Sequence, residues 1–136
     1  MIKTTALLCW LFASTVSANE FNCRILKVLP SEYYTDDIKK MYEVMFTGTS
    51  FNVSSSTGEF IGVFDKKTVK NPSIVSYGSD EMPFIVSSVT KNVKSSNQST
   101  HPIIVSLHIS VFEKKQLKPF TLVINEIVYR GQCQTL

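Results

Sequence analysis

"YTDDIKKMYEVM", residues 34–45, is the one stretch of this sequence with a convincing helical period, and its reading decides the fold. Thr35 can accept a hydrogen bond as an N-cap, and Asp36 and Asp37 place negative charge against the positive end of the helix dipole. Ile38, Met41, Tyr42 and Met45 recur at i, i+3, i+4 and i+7, the spacing of one apolar helix face. Gly48 then supplies a stop. A helix with such a face needs a surface to cover, and the rest of the chain offers strands.

Before the helix, "FNCRILKVL" (residues 21–29) alternates imperfectly, with Cys23, Ile25 and Lys27 on one side and Asn22, Arg24 and Leu26 on the other. After it come "GEFIGVF" (58–64), "PFIVSSVT" (83–90), "IIVSLHISVF" (103–112) and "FTLVINEIVY" (120–129), all rich in β-branched and aromatic residues. "EKKQLKP" (113–119) between the last two reads as the turn of a hairpin, while "NVSSSTG" (52–58) and "KNVKSSNQST" (91–100) have the polar composition of exposed loops. The expected fold is α+β, with one α-helix packed on the face of an antiparallel β-sheet of about four strands. Phe60, Phe64, Phe84, Phe112 and Phe120 are assigned to its core.

The N-terminus has a different chemistry. Lys3 provides a positive start, "ALLCWLFA" (6–13) an apolar centre, and Val16 and Ala18 the small residues of a cleavage site. That is the pattern of a secretory signal peptide over residues 1–18, too short for a membrane anchor of roughly 20 apolar residues. Its removal leaves one domain, residues 19–136, with a net charge of +2 because Lys3 departs from a chain of +3. Cys9 departs as well, and Cys23 and Cys133 are left as an even pair in a secreted chain, which reads as a disulfide. Asn52 and Asn97 are candidate N-glycosylation acceptors, each in an N-x-[ST] triplet; Asn71 is excluded by Pro72. With His101 and His108 as the only histidines, no metal site is expected, and no cofactor motif is present.

The leader, the Phe21-Asn22-Cys23 element just after it, the chain length and the second cysteine near the end resemble the secreted RNase-like effectors of powdery mildew fungi. "EYYTDDIKKMYEVM" is similar to the helix entry of that family, "EMPF" (81–84) to a segment of the related small guanine-specific ribonucleases, and "SVFEKKQLKPFTLVIN" (110–125) to their central hairpin. The resemblance implies a microbial-ribonuclease-like fold and a role as a virulence effector that binds a host plant protein or host RNA. It further implies secretion, translocation into host cells, recognition by plant immune receptors, and a monomer with no membrane association after signal cleavage.

Ribonucleases of that fold need a carboxylate base, a histidine acid and an arginine or second histidine on the phosphate. Glu81 stands where the resemblance would put the base, as a vestigial site candidate, but the arginine position falls near Ile109 and the histidine position near Val123. His101 and His108 are seven residues apart, which sends them to opposite faces of a single strand. The expectation is therefore a pseudo-ribonuclease with no catalytic residues, acting by binding. Lys66, Lys67 and Lys70, Lys91 and Lys94, and Lys114, Lys115 and Lys118 are candidate contacts to RNA or a partner if their loops converge, and Tyr33 and Tyr34 are candidate stacking residues. Two alternatives stand beside this reading, an active secreted ribonuclease and an unrelated extracellular β-rich binding module.

Overall fold

The computed structural model describes residues 20–95 and 98–136. The expected leader over 1–18 and the acceptor Asn97 lie outside the described residues, as does the side chain of Lys94. The chain runs β1 (Glu20–Leu29), α1 (Asp36–Phe46), β2 (Ser50–Ser54), β3 (Phe60–Gly62), β4 (Ser73–Tyr77), β5 (Phe84–Ser95), β6 (Gln98–Ile109), β7 (Lys118–Ile124) and β8 (Ile127–Thr135). All eight strands form one antiparallel sheet in the order β3-β2-β1-β8-β7-β6-β5-β4.

This sheet corrects the α+β expectation. It curls into a half-barrel and buries its concave face on itself, so the ring of Phe21 on β1 meets that of Phe84 on β5 with centroids 5.0 Å apart, although three strands lie between them in the sheet. Near the two free edges, a Cβ at Gly58 would stand 3.2 Å from Val86 and 3.3 Å from Ile74. Cys23, Ile25, Phe51, Val53, Phe84, Val86, Val105, Leu107, Ile109, Leu122 and Cys133, all at most 1 % exposed, fill the interior. The connection 63–72 runs from the β3 edge to the β4 edge and inserts Phe64 and Val69 into the same core. Ser88, buried on β5, donates its hydroxyl to the Lys70 carbonyl and ties this connection down.

The concave face is filled by the sheet's own side chains, so the helix does not cover it. The helix forms where expected, with the Ile38 amide donating to Thr35 Oγ1 at 3.5 Å and Gly48 at φ +83° after the Thr47 C-cap. Yet none of its residues is buried. Tyr42 and Phe46 turn towards the barrel end, while Ile38, Met41, Val44 and Met45 stay exposed.

Other boundaries moved for identifiable reasons. The expected strand 120–129 is two strands, because a turn of only two residues, Asn125-Glu126, with Asn125 at φ +52°, reverses the chain. Within the expected loop 91–100, residues 91–95 and 98–100 instead continue β5 and β6 as a two-stranded ribbon reaching past the strands that flank it, so polar composition there does not mean absence of a ladder. Asn52 and Val53 belong to β2, and "SIVSY" forms β4, a strand that the sequence reading passed over. In β1 a register shift between Ile25 and Lys27 turns Val28 inward and leaves Leu26 and Lys27 exposed, so no lysine enters the core. Phe112, assigned to the core, is 39 % exposed in the β6–β7 connection.

Candidate functional site

Antiparallel order fixes which loops meet. One end of the half-barrel collects α1, the connection 63–72 and the Asn125-Glu126 turn; the other collects the chain ends and the β2–β3, β4–β5 and β6–β7 connections. The candidate lysines divide between them. Lys66 and Lys70 line a cleft of about 250 Å³ with Glu59, Phe60, Val69, Asn71 and Pro72, and Lys67, also exposed, shares their connection. Lys114, Lys115 and Lys118 sit at the opposite end, where Lys115 pairs with Glu113 at 3.4 Å and Lys118 donates to the Glu113 carbonyl. Lys118 also borders a shallow recess of about 450 Å³ with Asp80, Tyr77 and Phe21. The two main lysine groups do not converge on one basic patch.

The carboxylate and histidines are likewise dispersed. Glu81 is exposed in the β4–β5 turn, where its amide donates to Ser79 Oγ at 3.2 Å. His101 lies on β6 opposite Val93, and His108 lies on the same strand, exposed, with a ring nitrogen 3.1 Å from Ser106 Oγ. Ile109 is wholly buried between Phe84 and Phe120 in the ladder. Among the described residues no group of three or more His, Cys, Asp and Glu side chains could hold a metal ion. Asn52 is engaged in the sheet, accepting from Asn22 at 2.6 Å and donating to Glu20 at 3.4 Å.

Cys23 and Cys133 form the disulfide, directly opposite each other on β1 and β8 with Cα atoms 3.9 Å apart. Both are fully buried.

The adjacent tyrosines separate. Tyr33 is 93 % exposed, whereas Tyr34 packs towards the core and begins a file of near-parallel rings. Tyr34–Tyr42, Tyr42–Phe46 and Phe46–Phe64 have centroids 5.9, 6.0 and 5.5 Å apart and interplanar angles of 11°, 14° and 15°. Tyr129 meets Phe46 and Phe64 edge-on at 5.3 and 5.1 Å. These rings, with Val63, Thr68, Ile124, Asn125 and Ile127, enclose a recess of about 230 Å³ at the helix-bearing end. Burial raises the Tyr129 pKa far above the usual phenol value, and the nearby Tyr42 and Tyr34 hydroxyls add to it. The Tyr34 pKa is raised as well, by desolvation first, then by Tyr42 and the Glu126 carboxylate. The sequence reading missed Tyr42 and Tyr129 as site residues; the i+8 step from Tyr34 to Tyr42 was its only local trace.

The scaffold is thus a disulfide-linked antiparallel half-barrel with one appended helix. No family model, no curated protein and no solved structure matches the chain. The resemblance to powdery mildew effectors accordingly rests on the leader, the two cysteines and short segments of sequence alone.

Proposed function

We propose that the protein is a secreted binding module of the effector kind, acting by docking a host protein through the exposed face of α1. The reading leaves the ribonuclease-like scaffold behind. It keeps the secretory leader and the paired cysteines, which suit an extracellular route.

The observation that carries it is the helix surface. Ile38, Met41 and Met45, at i, i+3 and i+7, are 39, 48 and 53 % exposed, and Val44 beside them is 76 % exposed. In a helix of 11 residues the apolar arc is therefore far wider than the part occupied by Tyr42 and Phe46. Contiguous exposed apolar surface of this kind marks interaction sites, and flexible methionines suit a face that must adapt to a partner. A protein is favoured over RNA because the lysine groups face opposite ends, which disperses the phosphate attraction that RNA binding needs.

The test is a Met41→Glu/Val44→Glu variant of the mature chain, used as bait against host extracellular and cytosolic extracts beside the unchanged protein. Both sites are exposed, so the melting temperature should hold within about 2 °C, while any saturable, host-derived partner should be lost. A partner retained by the variant, or none captured by either protein, would refute the docking face.

A further inference from the structure

We infer that the convex face of the sheet, where β1, β8, β7 and β6 lie side by side, binds an acidic oligosaccharide: a chain of hydroxylated sugar rings carrying carboxylates. The site stands on the sheet and does not rest on the docking face of α1.

The first observation is an uncompensated rung. Side chains alternate between the two faces of a strand, and Cys23, Val28, Tyr129 and Cys133 point into the interior, so Arg24, Lys27, Arg130 and Gln132 stand on the convex side, all exposed. The ladder sets Lys27 opposite Arg130. Residues so opposed stand about 5 Å apart, and like charges there destabilise a sheet. Arg24 shares the face, opposite Gln132. Among the described residues none of these three cations is in an ion pair; the pair that does form, Lys115–Glu113, lies in the β6–β7 connection. Glu20, on the same face of β1, stands beyond Asn22 and accepts from Asn52 at 3.4 Å. Three cations are thus held beside the disulfide rung, in the middle of the sheet, as a repulsive cluster that an anion from outside the chain would neutralise.

The neighbouring groups narrow the anion. Arg130 is opposite Thr121 on β7, and Thr121 is opposite His108 on β6. The row Lys27, Arg130, Thr121, His108 therefore crosses four strands and spans about 14 Å at a strand spacing of about 4.8 Å. That length suits an extended ligand lying across the strands rather than a single ion. Beside the row, Gln132 faces Arg24, and Asn22 stands between Asn52 and Gln134. Side-chain amides and hydroxyls both donate and accept, as sugar hydroxyls require, while the arginine forks match carboxylates. An acidic peptide brings the carboxylates without the hydroxyls. No Phe, Tyr or Trp stands on these rungs, so the face lacks the stacking rings that single-stranded nucleic acid uses.

Chemical-shift titration of the mature chain, residues 19–136, with hexagalacturonate tests the assignment. Three controls run beside it: hexaglutamate, which has the carboxylates without the hydroxyls, cellohexaose, which has the hydroxyls without the carboxylates, and hexauridylate. Hexagalacturonate should give saturable shifts centred on Arg24, Lys27, Arg130 and Gln132, and each control should bind at least about fivefold more weakly. Arg24→Gln/Arg130→Gln removes both forks and should weaken hexagalacturonate about tenfold, roughly threefold for each exposed charge pair. Lys66→Gln/Lys70→Gln lowers the net charge equally, at the cleft of the 63–72 connection, and should leave the affinity within about twofold. Gln132→Ala keeps all three cations; it should weaken hexagalacturonate about threefold and leave hexaglutamate as it was. No saturable shift, shifts centred elsewhere, a control bound as tightly as hexagalacturonate, equal weakening by the two double variants, or an unchanged hexagalacturonate affinity in Gln132→Ala would overturn the proposal.

Discussion

Removing the disulfide should cost this protein a large part of its stability, and the geometry sets how much. Cys23 and Cys133 are separated by 110 residues, so their bond closes nearly all of the described chain. On the chain-entropy model a loop of that length restricts the unfolded state by about 5 kcal/mol, against a measured span of about 2–5 kcal/mol for native disulfides in small secreted domains. Unfolding entropy near 2.1 cal/mol/K per residue converts that span to a fall in melting temperature of about 8–20 °C for a chain of this size. Calorimetry on Cys23→Ala, Cys133→Ala and the double variant provides the measurement. Either single change already breaks the bond, so the two losses should not add, and the double variant should melt within a few degrees of each single one. Tryptic mapping without reductant should join residues 19–24 to residues 131–136. A fall of less than about 5 °C, additive single losses, or two free thiols in the folded protein would refute the reasoning, because each would mean that the β1–β8 pairing holds without the bond.

Gly131→Ala should be among the most damaging single changes: a Cβ there would lie 1.9 Å from the Arg24 carbonyl oxygen, a backbone atom in the paired strand, and a loss of more than about 3 kcal/mol is expected in urea melts. Alkaline stability should depend on Tyr129, since its folded pKa is raised above the unfolded 10.0, so its contribution is complete below pH ~9 and is lost as pH rises past 10 towards the native value. Urea midpoints taken at pH ~8 and pH ~11 should therefore fall further in the unchanged protein than in Tyr129→Phe. Any RNA binding should be weak and phosphate-driven, falling in filter binding between about 50 and 200 mM salt by far less than the ~10³–10⁵ of a footprint of six to ten phosphates; a fall that large would contradict the split of the lysines between the two ends.

The elements legible in the sequence were those whose signals are local. Thr35, the paired aspartates and Gly48 mark a helix by capping and dipole chemistry that depends on nothing outside it, and the helix is where they put it. What it packs on is a tertiary question, and the i, i+3, i+4, i+7 pattern answers it misleadingly, because Ile38, Met41 and Met45 have the period of a buried face and lie exposed. The strand count failed for a related reason. A turn as short as Asn125-Glu126 carries no run of polar residues, and the ribbon formed by β5 and β6 is polar although it is paired. The recess was the least legible feature, since it joins Tyr34, Tyr42, Phe64 and Tyr129 from four separate segments. Of these the sequence names only Tyr34 as a binding residue, for stacking beside the helix start, while Tyr42 reads as helix face and Phe64 as core.

The position of the two cysteines follows from the topology that the α+β expectation lacked. β1, β2 and β3 form one meander and β4 to β8 another, each built from neighbours in sequence. Apart from side chains that meet across the concave face, the connection 63–72 and the pairing of β1 with β8 join the two. That pairing brings together the most distant parts of the chain, and its loop-closure entropy makes it slow to form. It also lies in the middle of the sheet, so a slip of one residue there would turn Cys23, Ile25 and Tyr129 away from the interior. A covalent bond at the Cys23–Cys133 rung fixes the register where sequence-local turns cannot. The aromatic residue two positions before the cysteine has its own role in this arrangement: Phe21 meets Phe84 across the concave face, so one short N-terminal element both pins the central seam and helps hold the curl that leaves the helix outside.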